Sequence, residues 1–482
     1  MRILEKYKKI PVPARASIWF LVCALLQKGI SVVTTPIFTR LLNTAEYGEY
    51  SAFNSWLGIV TVLVTMHMYS GVFQQGLVKF EEDKKIFASS IQGLTFTMVL
   101  AWTGIYFAFS GFWNKVFDLT TIQVLAMLVM VWTSTVFNLW ATTQRVEYNY
   151  RLLVLITAIV SLAKPLVGVL LVIHTEDKVT ARILGLALVE LIAYSWLFIL
   201  QMRMGNRFFS KKYWMYALQF NIPLIPHYLS QIILNSTDRI MIKELVGSSE
   251  AGIYSVAYSI SMIMTLLNNA VMQTLTPWIY KKIKSNKAEE ISKIAYPALV
   301  VIAALDLFLL ALAPEVIAIF APTSYYDAIY VIPPVAMSVF FLFAYSLFSS
   351  FEFYFEKSKL VMVVSVIGAA LNIVLNYIFI KLFGYYAAGY TTLLCYLVYT
   401  FGHYLIMSKI CKEKLPGVKV YDGKTLLLMS GVFMIFGFAL LFTYQFPVLR
   451  YSIICMMVVV IICMRNYITD KVMSFISLRK KK

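Results

Sequence analysis

Two lysines stand where a charge is costly. Lys28 lies in the middle of an apolar run between Ser17 and Arg40, and Lys164 in another between Arg151 and His174. At a helical rise of about 1.5 Å per residue, Lys28 is roughly 17 Å from either end of its run. A lysine side chain cannot snorkel that far. A charge at mid-membrane costs at least about 2.5 kcal/mol, so it faces a cavity, water or a partner. One reading of the pair is a cationic lumen that holds an anionic headgroup. The other is a lysine neutralised by a buried acid or lining passive water. Pro165 follows Lys164 and removes a backbone donor, which predicts a kink there.

The acids at comparable depth are Glu190 and Asp306. Glu190 could neutralise Lys164 from the next helix, or accept a proton or sodium ion. Asp306 could couple an ion in the same way, or cap a helix near Pro314 and Glu315. Arg40, Asp238 and Arg239 sit near outer helix ends, where snorkelling or an Asp–Arg pair accounts for them, and where they could equally form a gate. Arg145 flanks an inside loop. It suits either plain topology or contact with an entering phosphate. The histidines are His67, His174, His227 and His403, and no two have helical metal-ligand spacing. His227 follows Pro223 and Pro226 in a run that must be broken. Five cysteines show no CxxC pattern, so neither a zinc site nor a disulfide framework is expected. The stretch from Gly417 to Thr425 imitates a phosphate-binding loop. It has five residues between its glycines where that loop needs four, and no strand precedes it.

The elements that must position these side chains follow from composition. The chain has 482 residues, of which 60% are hydrophobic and 14% charged, with a mean hydropathy of +0.76. That excludes a soluble globular domain and a disordered one. Fourteen runs reach the roughly 20 apolar residues a membrane helix needs: 17–39, 48–73, 87–109, 118–142, 152–173, 182–202, 215–237, 251–278, 294–313, 327–350, 360–380, 386–407, 425–444 and 448–464. With the N-terminus placed inside, 32 of the 42 Lys and Arg residues fall on inside segments and 8 on outside loops. Lys28 and Lys164 are the other two. This bias predicts a multi-pass protein with both termini in the cytoplasm. It also accounts for most of the net charge of +18, so a nucleic-acid partner is not expected.

A slide of 204 residues lays Leu41-Leu42-Asn43-Thr44-Ala45-Glu46-Tyr47-Gly48-Glu49-Tyr50-Ser51 onto Leu245-Val246-Gly247-Ser248-Ser249-Glu250-Ala251-Gly252-Ile253-Tyr254-Ser255. Leu, Glu, Gly, Tyr and Ser coincide, and Gln27 falls on Gln231. Both segments lie on outside loops, six helices apart, which predicts parallel repeats. The fold expected is an all-α polytopic membrane protein of about 14 transmembrane helices. Two pseudo-symmetric six-helix lobes, 1–213 and 214–410, would be followed by 411–482, carrying two further helices and a basic cytoplasmic tail. Paired lobes favour a carrier that exposes its site to one side at a time. No nucleotide site is present, so an ion gradient, H+ or Na+, is the expected energy source, with no other cofactor.

Three segments then resemble a known family. Pro36-Ile37-Phe38-Thr39-Arg40-Leu41-Leu42 with Glu46-Tyr47-Gly48 looks like the first-helix signature of bacterial polysaccharide repeat-unit flippases. Asp238-Arg239 with Gly252-Ile253-Tyr254-Ser255 resembles their helix 7–8 segment. Asn372-Ile373-Val374-Leu375-Asn376 with Phe383-Gly384 resembles their helix 11–12 segment. The resemblance implies the multidrug/oligosaccharidyl-lipid/polysaccharide exporter superfamily. It implies movement of undecaprenyl-diphosphate-linked O-antigen or capsule oligosaccharide from the inner to the outer leaflet of the cytoplasmic membrane. Membrane lipid, the polysaccharide polymerase and the chain-length machinery would be its partners. On this reading Lys28, Lys164, Arg145 and Arg40 contact substrate, Glu190 and Asp306 couple the ion, and Asp238 and Arg239 gate. The lipid II branch of the family carries a cluster of lumen arginines, and helices 1–3 here offer only Lys28. A small-molecule/ion antiporter of the same superfamily is the rival, although a site for organic cations would present acids. A membrane glycan polymerase would need a large outside loop, and every outside loop is short.

Overall fold

The computed structural model describes residues 11–463. The basic tail and the extreme N-terminus lie outside the described residues, and with them the expectation that both termini face the cytoplasm. No strand occurs among the described residues. The chain forms two compact units, Met1–Lys243 and Glu244–Lys482.

The first unit contains α1 (Val12–Leu41), α2 (Thr44–Thr65), α3 (Val72–Lys79), α4 (Lys84–Ala108), α5 (Ser110–Phe117), α6 (Thr121–Val146), α7 (Tyr150–Ile173), α8 (Lys178–Gly205), α9 (Lys211–Asn221) and α10 (Ile225–Leu245), whose last residues reach the boundary. The second contains α11 (Ser248–Ser261), α12 (Ile263–Lys284), α13 (Ser292–Ala311), α14 (Ala313–Phe320), α15 (Ile332–Tyr354), α16 (Ser358–Phe383), α17 (Tyr386–Lys414), α18 (Gly423–Phe442) and α19 (Pro447–Cys463).

Eleven stretches among the described residues are long and apolar enough to cross a membrane. The other three of the fourteen runs are helical too. The run 48–73 falls largely on α2 and 448–464 on α19, while 215–237 is divided between α9 and α10. The division has a local cause. Pro223 lacks the N–H that a continuous helix would use, and Ile222–Leu224 tightens into a 3-10 turn. Pro165, in contrast, sits inside an unbroken α7. α2 ends at Thr65, where Met66 and His67 take positive φ and Gly71 follows in the same region.

Local sequence explains the helix starts. Asn43 and Glu46 form a reciprocal capping box, with Asn43 N–H donating to Glu46 Oε2 at 2.8 Å and Glu46 N–H to Asn43 Oδ1 at 2.9 Å. Thr120 and Gln123 do the same for α6, and the Asp177 side chain caps α8. Hydroxyls inside the spans return their protons to the preceding turn, as a lipid environment requires. Ser55 donates to Ser51 O at 3.0 Å, and Ser259 donates to Ser255 O at 2.8 Å. These two bonds are related by the same 204-residue slide.

Within the first unit, α8 packs on α7 and α6, and α1 packs on α7. Its core holds Phe53, Met127, Val131 and Ile183 in one cluster, with Phe137, Trp140 and Leu197 in another. Within the second, α17 packs on α15 and α16, and α18 and α19 pack on α13. That core is aromatic, with Phe340, Phe343, Phe351 and Tyr396 buried together.

Candidate functional site

The crossing of α7 and α8 is set by two glycines. A Cβ on Gly185 would lie 3.0 Å from the Gly168 Cα, so a side chain there would push the two helices apart by a few tenths of an ångström. The close crossing carries Lys164, one turn before Gly168, to Glu190 on the facing helix. Lys164 Nζ donates to Glu190 Oε1 at 2.6 Å. Glu190 is buried, and Thr133 Oγ1 of α6 donates to its other oxygen at 2.9 Å. Both carboxylate oxygens therefore have donors. The Lys164 side chain remains 30% exposed, so its other protons face open space.

Lys28 is exposed on α1 and has no ion-pair partner among the described residues. Gly29 and Pro165, the next residues after the two lysines, line one groove between α1 and α7. The groove holds about 750 Å³ and is walled by aliphatic side chains such as Val22, Val33, Leu162 and Val169. Neither lysine lines this trough, whose apolar walls suit a lipid tail.

The other predicted residues are more scattered. Arg40 is exposed near the end of α1 and donates to Pro36 O at 2.8 Å. Arg145 is exposed in the last turn of α6. Asp238 is buried in α10, while Arg239 is half-buried and donates to Asn235 O at 2.9 Å. Asp306 lies in the second unit, fully buried within α13 rather than at its cap. Neither of its carboxylate oxygens has a hydrogen-bond partner among the described residues. Among the predicted site residues, Lys164 and Glu190 are brought into direct contact.

Two features escaped the sequence reading. Arg182 of α8 is buried in an aromatic box, its guanidinium carbon 3.8 Å from the Phe38 ring centre and 3.4 Å from that of Tyr50. Tyr47 stands at 5.4 Å. These aromatics come from and beside the first-helix signature, and their stacking on a cation gives that signature a physical role. Arg182 opens the run 182–202 and so reads as a loop charge; the aromatic spacing upstream is the signal that could have found it. The second is Glu352, two residues beyond the end of the run 327–350. It is fully buried against His403.

Comparisons with known proteins agree with this architecture. The family model described as "Polysaccharide biosynthesis protein" matches residues 14–283, and the MatE model matches 223–378. Two proteins of Haemophilus influenzae are similar. One is "Lsg locus putative protein 1", 20% identical over 74% of this chain and 88% of its own length. The other is an "Uncharacterized membrane protein", 21% identical over 72% and 86%. Among solved structures, an inward-facing multidrug resistance MATE family transporter of the MOP superfamily aligns with a TM-score of 0.62 and 12% identity. It covers 84% of this chain and 100% of that one. A MOP superfamily transporter from Pyrococcus furiosus, described as having a binding pocket of reverse polarity, aligns at 0.53 with 13% identity, over 83% and 96%.

Proposed function

Since the chain belongs to the polysaccharide biosynthesis protein family and is a multi-pass membrane transporter of the MOP superfamily, we propose that it is a lipid-linked oligosaccharide flippase. It moves undecaprenyl-diphosphate-linked repeat units of an O-antigen or capsule from the inner to the outer leaflet of a bacterial cytoplasmic membrane. It does so by alternating access, with both termini in the cytoplasm, and hands its product to the polymerase and chain-length machinery. The observation that carries this reading is Lys28, an exposed mid-span cation with no ion-pair partner among the described residues, on the helix that supplies one wall of the apolar groove. A diphosphate supplies the missing counter-charge, and a lipid tail suits the groove. Lys164, partly exposed, and the exposed Arg145 and Arg40 are the further cations of the first unit that would contact the substrate. Asp306 and Glu190 are the acids proposed to couple an inward-moving H+ or Na+, Asp306 with no hydrogen-bond partner among the described residues and Glu190 once the cycle releases it from Lys164. Asp238 and Arg239 act at the outer gate.

The drug/ion antiporter is the second reading, and the MatE match over 223–378 favours it. A cation site needs a free acid, and in the first unit Glu190 already neutralises Lys164. The test is a leaflet assay in cells depleted of the protein. Full-length repeat units should accumulate on the inner face, and Lys28→Ala should fail to clear them while reaching the membrane at normal levels. Repeat units that reach the outer face normally in depleted cells would overturn the flippase reading.

A further inference from the structure

The second unit contains an acid–histidine pair with no exposure at all. His403 of α17 and Glu352 of α15 are both fully buried, and His403 Nδ1 lies 2.9 Å from each of the two Glu352 carboxylate oxygens. The imidazole is held between two tyrosine rings, Tyr345 at 4.6 Å and Tyr399 at 4.5 Å, both crossing it edge to face. The Tyr399 hydroxyl shares a hydrogen bond of 3.0 Å with Ser365 of α16. Tyr345 bonds to Tyr399 and Ser349. Those are the titratable and polar groups that face the pair. Among the described residues neither member has another ion-pair partner. The other helices packed on α15 meet it through apolar side chains such as Ile279, Leu299 and Phe433 and through uncharged polar ones, Asn268 donating to Val339 O and Ser261 to Ile332 O, and Tyr280 of α12 lies against Tyr354.

Proton counting shows why this pair is unsettled. With one ionisable proton the pair is neutral, either as glutamate with imidazolium or as glutamic acid with imidazole. The glutamate–imidazolium form puts a proton on Nε2, which has no acceptor among the described residues; the glutamic acid–imidazole form either does the same or, as the Nδ1–H tautomer, leaves the carboxyl O–H without one. Removing that proton cures the orphaned donor but leaves a net negative charge in an aromatic core. No protonation state satisfies every group in this conformation, and an unsatisfied buried network is unstable against change. Glu352 is also only two residues from the end of α15, the end that the charge pattern assigns to the cytoplasm. One helical movement would wet it.

We infer that the Glu352–His403 pair is a proton-binding site that couples the transport cycle to a proton gradient. This rests on the reading of the chain as a transporter. One proton enters from the outer side, resides on the pair, and leaves to the cytoplasm when α15 and α17 shift; nothing is oxidised or reduced. Tyr345, Tyr399 and Ser365 keep the imidazole oriented between these events.

Two measurements on the full chain test it. In lipid nanodiscs, 15N-histidine labelling gives four imidazoles, and His403→Gln identifies the signals of His403. The expected result is that His403 changes protonation or tautomer between pH 5 and 9, and that Glu352→Gln moves that change by more than one pH unit. A single unchanging tautomer across the range in both proteins would make the pair a structural pin and overturn the proposal. In depleted cells carrying each variant, the inner-leaflet glycan pool is followed while nigericin collapses the pH gradient. Wild-type clearance should slow at least tenfold on collapse, and the residual clearance by Glu352→Gln or His403→Gln should not respond to it. Variants that clear at the wild-type rate and still respond to collapse would refute proton coupling here. A wild-type protein that clears no glycan in any condition would sink the flippase reading instead, leaving the labelling experiment to judge the proton site.

Discussion

Removing Lys164 alone should damage the first unit more than removing Lys164 and Glu190 together. Glu190 is buried, with Lys164 at 2.6 Å on one oxygen and Thr133 at 2.9 Å on the other. Lys164→Met keeps the apolar stem and deletes the charge, so it leaves a buried carboxylate with a single hydroxyl donor. Breaking a buried pair by removing one member costs about 3–5 kcal/mol. The lysine is 30% exposed, which places the expected loss at the lower end, about 3 kcal/mol. For a unit of this size, each kcal/mol moves the melting temperature by about 2–4 °C, so the single variant should melt roughly 6–12 °C lower. Lys164→Met with Glu190→Gln removes both charges, keeps an amide that Thr133 can still bond, and should recover most of that loss. The assay is thermal unfolding of the full chain in nanodiscs at one pH and salt concentration, run as a double-mutant cycle. A coupling energy below about 0.5 kcal/mol, the noise of independent sites, would refute the claim that this pair is buried and mutually neutralised.

Arg182→Met should lower the melting temperature by roughly 4–8 °C, because a desolvated cation over two aromatic faces contributes about 2 kcal/mol; a shift within 1 °C would show that the Phe38–Tyr50 box gains nothing from the charge. Asp306→Asn should leave stability nearly unchanged, since Asp306 makes no hydrogen bond for the amide to lose among the described residues, while the leaflet assay should report loss of flipping if this acid couples the ion. At the start of α18, the Lys419 ammonium and the Thr425 N–H and hydroxyl hold Asp422 well below the usual carboxylate range. A depressed carboxylate stabilises the folded cap at every pH above its ordinary value near 4 and loses that effect only as pH falls through the lower folded value. Hydrogen exchange of the first turn of α18 should therefore be as protected at pH 5 as at pH 7, and Asp422→Ala should expose it at both.

Much of the scaffold was legible in the sequence because membrane helices advertise themselves. Apolar runs of fixed length and a lopsided distribution of Lys and Arg depend on the bilayer alone, not on which helix meets which. All fourteen runs fall largely on helices among the described residues. Where a run misjudged its helix, the reason was backbone chemistry inside an apolar stretch: Pro223 divides α9 from α10, and Met66 and His67 end α2 before the hydrophobicity does. The site was legible only where partners were sequence neighbours. Lys164 and Glu190 stand on consecutive helices, so their pairing could be weighed in advance. Glu352 and His403 are separated by α16 and by 51 positions, and Arg182 meets aromatics from α1 and α2. Contacts of that kind are set by packing, and hydropathy carries no record of them.

The 204-residue correspondence separates what the repeat preserves from what it does not. It carries Ser55 onto Ser259 and Tyr50 onto Tyr254, residues that bond or pack within the scaffold. It carries none of the buried or mid-span charges. Lys28 falls on Ile232, Lys164 on Gly368 and Glu190 on Leu394; in the other direction Asp306 falls on Trp102, Glu352 on Tyr148 and His403 on Ile199. A charge in a membrane core is retained only where something offsets its cost. If the two units did the same work, each would need the same charges, and the correspondence would show them. The lysines belong to the first unit and the partnerless or histidine-paired acids to the second. On the proposed reading, that division gives the first repeat the anion-binding lysines and the second the Glu352–His403 proton site. It also explains why variants in the two units should differ in kind: loss of Lys28 should abolish transport at any gradient, whereas loss of Glu352 should leave a slow transport that no longer feels the gradient.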